Sequence, residues 1–151
     1  MTSASRHARP RSTPGLLARR LALLALFEAE FRPGSAPAAL ERLAAEKDAP
    51  SDVVSHAAEI VDGVEAHRPE LDARIAVEAP LIPVPELGRV ERTILRSALY
   101  EVLYSAATPS GETMRDAVSL ARIYAGDAAR RLVNGVLGSV SRSSGGGAQT
   151  S

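Results

Sequence analysis

Three prolines in six residues, Pro80-Leu81-Ile82-Pro83-Val84-Pro85, hold the middle of this chain in an extended connector. Each ring removes an amide donor and pushes the residue before it out of helical geometry. Whatever forms on the two sides must therefore be two separate runs of structure, and both runs carry the same period. Thr13-Pro14 reads as an N-cap followed by proline at the first helical position, and Leu16, Leu17, Leu21, Leu24, Phe27 and Phe31 follow near helical spacing. Arg32-Pro33-Gly34 stops that helix, and a second follows Ser35 through Ala39, Leu40 and Leu43 to Asp48-Ala49-Pro50. Ser51 with Asp52 can cap a third, whose Val53, Val54, Ala57, Ile60, Val61 and Val64 form an apolar face ending near His67. Pro69 suits the first turn of a fourth, with Leu71, Ile75 and Val77 turned partly inward.

Beyond the connector the pattern strengthens. Val90, Ile94, Leu95, Ala98, Leu99, Val102 and Leu103 share one helix face, and Thr108-Pro109-Ser110-Gly111 breaks it. Met114, Ala117, Val118, Ala121 and Tyr124 mark a sixth helix that Gly126 ends. Asp127 is placed to cap a seventh, with Leu132, Val133, Val136, Leu137 and Val140 as its buried stripe. Ser143 to Ser151 has almost nothing to bury and is expected to be a disordered tail. No alternating apolar and polar run argues for a strand, so the expected class is all-α with about seven helices.

Charge divides the chain differently. The 151 residues hold eighteen basic and eighteen acidic side chains, so a uniformly cationic coat is excluded. Residues 1–20 nevertheless carry +5, residues 21–120 carry −8 and residues 121–151 carry +3. Two basic ends are a footprint for a polyanion if the fold brings them together; otherwise they are a solvated tail and an ordinary helix face. The 45% hydrophobic and 24% charged fractions exclude wholesale disorder. Zero cysteines remove disulfides, thiolate metal sites and thiol nucleophiles. No apolar run approaches the roughly 20 residues a membrane span needs, and the polar start, Met1 to Gly15, is unlike a signal peptide, so a cytoplasmic location is expected.

Catalytic signatures are missing. There is no Gly-rich phosphate loop, no G-x-S-x-G elbow and no H-E-x-x-H. His7, His56 and His67 have no partners at metal-ligand spacing, and the last two read as polar helix-face residues. Glu59, Asp62 and Glu65 share a helix face, and without convergent ligands they read as solvated. No enzyme, metal or cofactor is called for.

Two segments go beyond a generic helical pattern: Val90-Glu91-Arg92-Thr93-Ile94-Leu95-Arg96-Ser97-Ala98-Leu99-Tyr100-Glu101, and Ala117-Val118-Ser119-Leu120-Ala121-Arg122 followed by Leu132-Val133-Asn134-Gly135-Val136-Leu137. Together with Ala18-Arg19-Arg20-Leu21-Ala22-Leu23-Leu24-Ala25-Leu26-Phe27, Ile60-Val61-Asp62-Gly63-Val64 and Leu71-Asp72, they resemble the NusB family over roughly residues 16 to 142.

The resemblance implies two small helical bundles packed across each other, here about 16–79 and 85–142, after a flexible basic tail at 1–15. It also implies a transcription antitermination factor that binds boxA RNA of ribosomal RNA leaders together with NusE, a small-subunit ribosomal protein, and joins the RNA polymerase antitermination complex. Arginines that neutralise phosphates and aromatic faces that stack on bases make such a role physically reasonable. By the same resemblance Arg19, Arg20, Tyr124, Arg130 and Arg131 would contact RNA, with Arg6, Arg9 and Arg11 adding phosphate contacts, while Phe27 and Glu91 would meet NusE. Without the resemblance, Phe27 reads equally as core and Glu91 as a partner of Arg92 or of solvent. Asn134-Gly135 reads as structural, Gly135 permitting close helix packing and Asn134 bonding to a neighbouring helix.

The chain departs from the family pattern at Arg115-Asp116-Ala117, where Asn-Glu-Ala is usual, and at Leu132, where an aromatic commonly precedes Val-Asn-Gly. Two alternatives stay open: a stand-alone RNA-targeting module related to the NusB-like domain of ribosomal RNA methyltransferases, and a helical adaptor that binds protein without RNA.

Overall fold

The structure is a computed structural model that describes residues 12–105, 108 and 110–150, with side chains up to 143. Among the described residues there are six α-helices and one 3-10 turn: α1 Pro14–Ala29, α2 Ala36–Glu46, α3 Ser51–Glu78, the 3-10 turn Val84–Glu86, α4 Arg89–Tyr104, α5 Ser110–Ala125 and α6 Asp127–Thr150. Among the described residues there is no strand, in keeping with the all-α reading.

Helix α1 begins as its sequence dictates. The Thr13 hydroxyl accepts from the Leu16 amide at 3.0 Å, and Pro14 occupies the first turn, where its missing donor costs nothing. Leu16, Leu21, Leu23 and Leu26, with Ala18, Ala22 and Ala25 between them, are all buried. Their burial runs around the helix because α1 packs on α2, α3, α4 and α5, so it forms the axis of the molecule rather than a surface helix. Gly34, at φ +111°, turns the chain into α2, where Ser35 caps the Ala38 amide at 3.2 Å.

The expected third and fourth helices meet at His67 with no loop between them, and the two are labelled together as α3. Helix α3 runs from Ser51 to Glu78 with a kink at His67, whose φ of −117° and ψ of 17° leave the helical region. Pro69 accounts for the break, since it cannot donate to the Glu65 carbonyl and crowds the preceding turn. Ile60, Val61 and Val64 before the kink and Leu71 and Ile75 after it are all buried, so the core keeps both halves of the helix engaged. The cap differs too: Pro50, without a side-chain bond, is the N-cap, and Ser51 and Asp52 are already helical.

The expected extended connector is corrected: it opens with a turn in which the Ile82 amide donates to the Ala79 carbonyl at 3.4 Å and ends in the short 3-10 turn, from which Val84 and Leu87 reach the core. Ile94, Leu95, Ala98 and Leu99 of α4 face inward as their spacing predicts. Helices α1, α2 and α3 pack on one another, as do α4, α5 and α6, and α4 also lies on α1 and α3. Arg96 of α4 grips Asp72 of α3 through two bonds of 2.7 and 2.9 Å. A single apolar cluster runs through both groups, from Leu16 to Val140. Helix α6 continues to Thr150, into the stretch from Ser143 for which composition led us to expect a disordered tail.

Candidate nucleic-acid interface

Gly126, at φ +97°, links α5 to α6 without an intervening loop and places the last turn of one helix beside the first turn of the other. Tyr124 stands at this corner with 40% of its surface exposed. Asp127 was expected to cap α6 but lies within its first turn, and its carboxylate reaches sideways. It accepts from Arg130 Nε at 2.7 Å and from Arg131 on the next position round the helix. These bonds, the one from Arg130 foremost, hold the Asp127 carboxyl below its usual range and the Arg130 guanidinium above its own. Arg122, exposed one turn before the corner, adds its field to the same carboxylate. One acid thus holds two arginines, with the charge of a third nearby, at the corner that exposes Tyr124, an arrangement suited to phosphates with a base against the ring. Sequence reasoning did not single out Arg122, although its position two residues before Tyr124 was legible.

The two arginines of α1 part company. Arg19 is 6% exposed and spends all five of its N–H donors inside the fold. Nε donates to Glu101 at 2.8 Å, one terminal nitrogen to Glu112 at 3.1 Å and Asp116 at 2.7 Å, and the other to Glu101 and Thr113 at 3.3 Å each. Burial works against the charge, but the bonds to Glu101, Glu112 and Asp116 more than offset it, so the guanidinium is held more firmly protonated than usual. The expectation that Arg19 contacts RNA is therefore corrected: it locks α1 to α4 and α5 and has no donor left for a phosphate. Arg20, its neighbour, is half-buried, and its Nε is shielded without a protein partner. Arg19 is bonded to the first half of α5, and from Asp116 to Tyr124 is about 12 Å along that helix. The fold thus keeps the α1 arginines and the α5–α6 corner at different levels of α5. Arg6, Arg9 and Arg11 lie outside the described residues.

Phe27 and Glu91 are brought to one junction. Phe27, in the last turn of α1, is half-buried, its ring centroid 4.8 Å from that of Phe31, which is 52% exposed. Leu24 and Leu43 join the two rings along an open groove. Arg89, at the start of α4, lies over the Phe31 ring at 4.7 Å and 3.6 Å from Glu30, which also accepts from Arg92 at 3.0 Å. Glu91 sits in the same first turn, folded over Gly88, where an added Cβ would stand 2.3 Å from its carboxylate. It is not the partner of Arg92, which bonds Glu30 and the Pro85 carbonyl instead.

Comparison with known proteins decides the family. The model of the NusB family matches residues 16–142. The chain belongs to the NusB family. A transcription antitermination protein NusB of Carboxydothermus hydrogenoformans is 37% identical over 128 residues, covering 82% of this chain and 89% of the relative. One of Dehalococcoides mccartyi is 32% identical over 125 residues, covering 83% and 87%. Among solved structures, antitermination factors NusB and NusE in complex with dsRNA superpose with a TM-score of 0.78 at 27% identity, covering 86% of this chain and 97% of the other. T. maritima NusB gives 0.79 at 25% identity, covering 87% and 93%.

Within this NusB-family chain, the two departures acquire structural meaning. Asp116 is the closest carboxylate to Arg19, so the acidic position still serves the buried pair although its side chain is shorter. Leu132 is half-buried beside Pro80, Leu81 and Ile82, forming an apolar wall next to Arg131 where a ring would otherwise lie. Asn134 and Gly135 are exposed, and nothing stands within 4 Å of an added Cβ at Gly135. The expected close packing at Gly135 is corrected accordingly; that role belongs to Gly63, where a Cβ would meet the Tyr100 ring at 2.1 Å. His56 bonds the buried Glu101 at 2.8 Å, and His67 stacks on Tyr104. Among the described residues no group of acids and histidines is arranged to hold a metal, and no helix is long and apolar enough to cross a membrane.

Proposed function

We propose that this NusB-family chain is a transcription antitermination factor that binds boxA RNA of ribosomal RNA leader transcripts together with NusE and joins the RNA polymerase antitermination complex. It works in the cytoplasm by binding, not by catalysis. The observation that carries the reading is the exposed Tyr124 with Arg130 and Arg131 on the α5–α6 corner, in a chain that matches the family over residues 16–142. Arg130 and Arg131 neutralise phosphates, Tyr124 stacks on an unpaired base, and Arg20 extends the track toward the chain start. Phe27 and Glu91 meet NusE at the α1–α4 junction, where an apolar groove and an oriented acid lie side by side.

A gel shift with boxA RNA at two salt concentrations, with and without NusE, tests this. Binding that weakens as salt rises and tightens with NusE is expected. A chain that binds NusE but no RNA under either condition would favour the adaptor reading. Binding of RNA with no response to NusE would favour the stand-alone targeting module.

A further inference from the structure

Away from both proposed surfaces, the kink in α3 turns His67 onto the C-terminal end of α4. There His67 stacks on Tyr104 with centroids 4.0 Å apart and planes 15° from parallel, and Tyr100 lies to the side of this pair, 6.0 Å from Tyr104 and 6.1 Å from His67. Tyr104 keeps 44% of its surface in solvent, so the cluster presents an aromatic side chain to solvent. The rim of this cluster is acidic. Tyr100 donates to Glu59 at 3.3 Å, and Glu59, Asp62, Glu65 and Glu70 are exposed on α3, whose two arginines are both paired, Arg68 with Glu65 at 3.9 Å and Arg74 with Glu78 at 3.0 Å.

The two features together define an occupant. Aromatic faces bind bases and guanidinium groups equally readily, but a nucleic acid would bring its phosphates against these carboxylates, whereas a cationic segment is attracted by both. We propose that the Tyr104–Tyr100–His67 face, with Glu59 and Asp62 at its edge, is a docking surface for an arginine-rich segment of a partner protein. Guanidinium planes lie on the exposed Tyr104 side chain while their N–H groups reach the carboxylates of α3. The surface is independent of the others: Tyr104 is about 20 Å along α4 from Glu91, and Tyr124 lies about 20 Å along α5 from that helix's start. A cationic partner can thus be held while RNA and NusE are bound elsewhere.

Fluorescence anisotropy of a labelled octa-arginine peptide with the full chain tests the proposal. Tyr104→Ala should weaken binding about threefold, while Tyr104→Phe, which keeps the ring, leaves it unchanged. Glu59→Gln with Asp62→Asn should weaken it about fivefold. The same charge change on α2 and its following turn, Glu41→Gln with Asp48→Asn, should change it less than about twofold. The affinity of the Tyr104→Ala variant for boxA RNA should equal that of the parent, and circular dichroism melts of all variants should superpose. Equal losses from the two charge-neutralised pairs would reduce the effect to diffuse attraction and overturn the proposal. So would an unaltered Tyr104→Ala variant, or one that loses RNA, which would make this face part of the RNA surface.

Discussion

Arg19 and Arg20 are adjacent in the chain and lie about 100° apart around α1, which is enough to send one into the core and leave the other at its edge. No property of either residue alone distinguishes them. The difference is made by Glu101, Glu112 and Asp116, which are 82, 93 and 97 residues away in sequence, so it could not be read before the helices were assembled. Replacing Arg19 by Met should cost about 3 kcal/mol or more in urea unfolding, because three carboxylates lose their shared counter-charge. Arg19→Lys should recover little of this, having three donors on a point charge where five in a fork are used. Glu101 gives the pair a pH dependence. Burial raises its pKa, but bonds from His56 and Arg19 outweigh that and hold it below the ordinary value of 4.5. A group whose folded pKa is depressed contributes stability above its unfolded pKa and loses it as pH falls through the folded one. Melting temperature should therefore drop on acidification below about pH 4.5, and more steeply in the parent than in Glu101→Gln, whose stability is already reduced at neutral pH.

At the scale of elements, the helices were legible because their apolar residues repeat every three to four positions and their ends carry Thr13, Ser35, Gly34 and Gly126. The break at His67 before Pro69 was legible too; that the two helices on either side of it meet without a loop was not, since Pro69 is compatible with either a fresh start or a kink. Glycine needs the same context. Gly63 and Gly135 are both helical, yet the first faces the Tyr100 ring and the second faces open space. Gly63→Ala should destabilise the fold by about 1–3 kcal/mol in spite of alanine's better helix propensity, with part of the loss recovered when Tyr100 is also made smaller. Gly135→Ala should instead stabilise it by up to about 1 kcal/mol, and chemical denaturation of the two variants side by side measures the contrast. The α5–α6 corner was partly legible: Tyr124, Arg130 and Arg131 were found by resemblance, but the bridging of both arginines by Asp127 required the helix start to be placed. Arg130→Ala with Arg131→Ala should lower RNA affinity and flatten its salt dependence while leaving the melting temperature in place. An unchanged salt slope would remove α6 from the RNA surface.

For the molecule as a whole, the proposed binding surfaces surround one continuous core. Charge reversal of Glu91 should impair NusE binding in titration calorimetry while the RNA affinity of the isolated chain stays as it was. If NusE and the α5–α6 corner hold the same strand, NusE should raise RNA affinity, and RNA must then raise NusE affinity by the same factor; both legs of the cycle can be measured. The buried grip of Arg19 also has a bearing on how the chain is made. Helix α1 is synthesised before α4 and α5, and the acids that neutralise its inward charge emerge 82 to 97 residues later. At about 5–20 residues per second, that delay amounts to roughly 5 to 20 s of synthesis. Throughout that interval α1 carries an unpaired cation in the middle of its packing surface. The charge discourages premature burial of α1 in a half-made bundle, and its docking waits for α4 and α5.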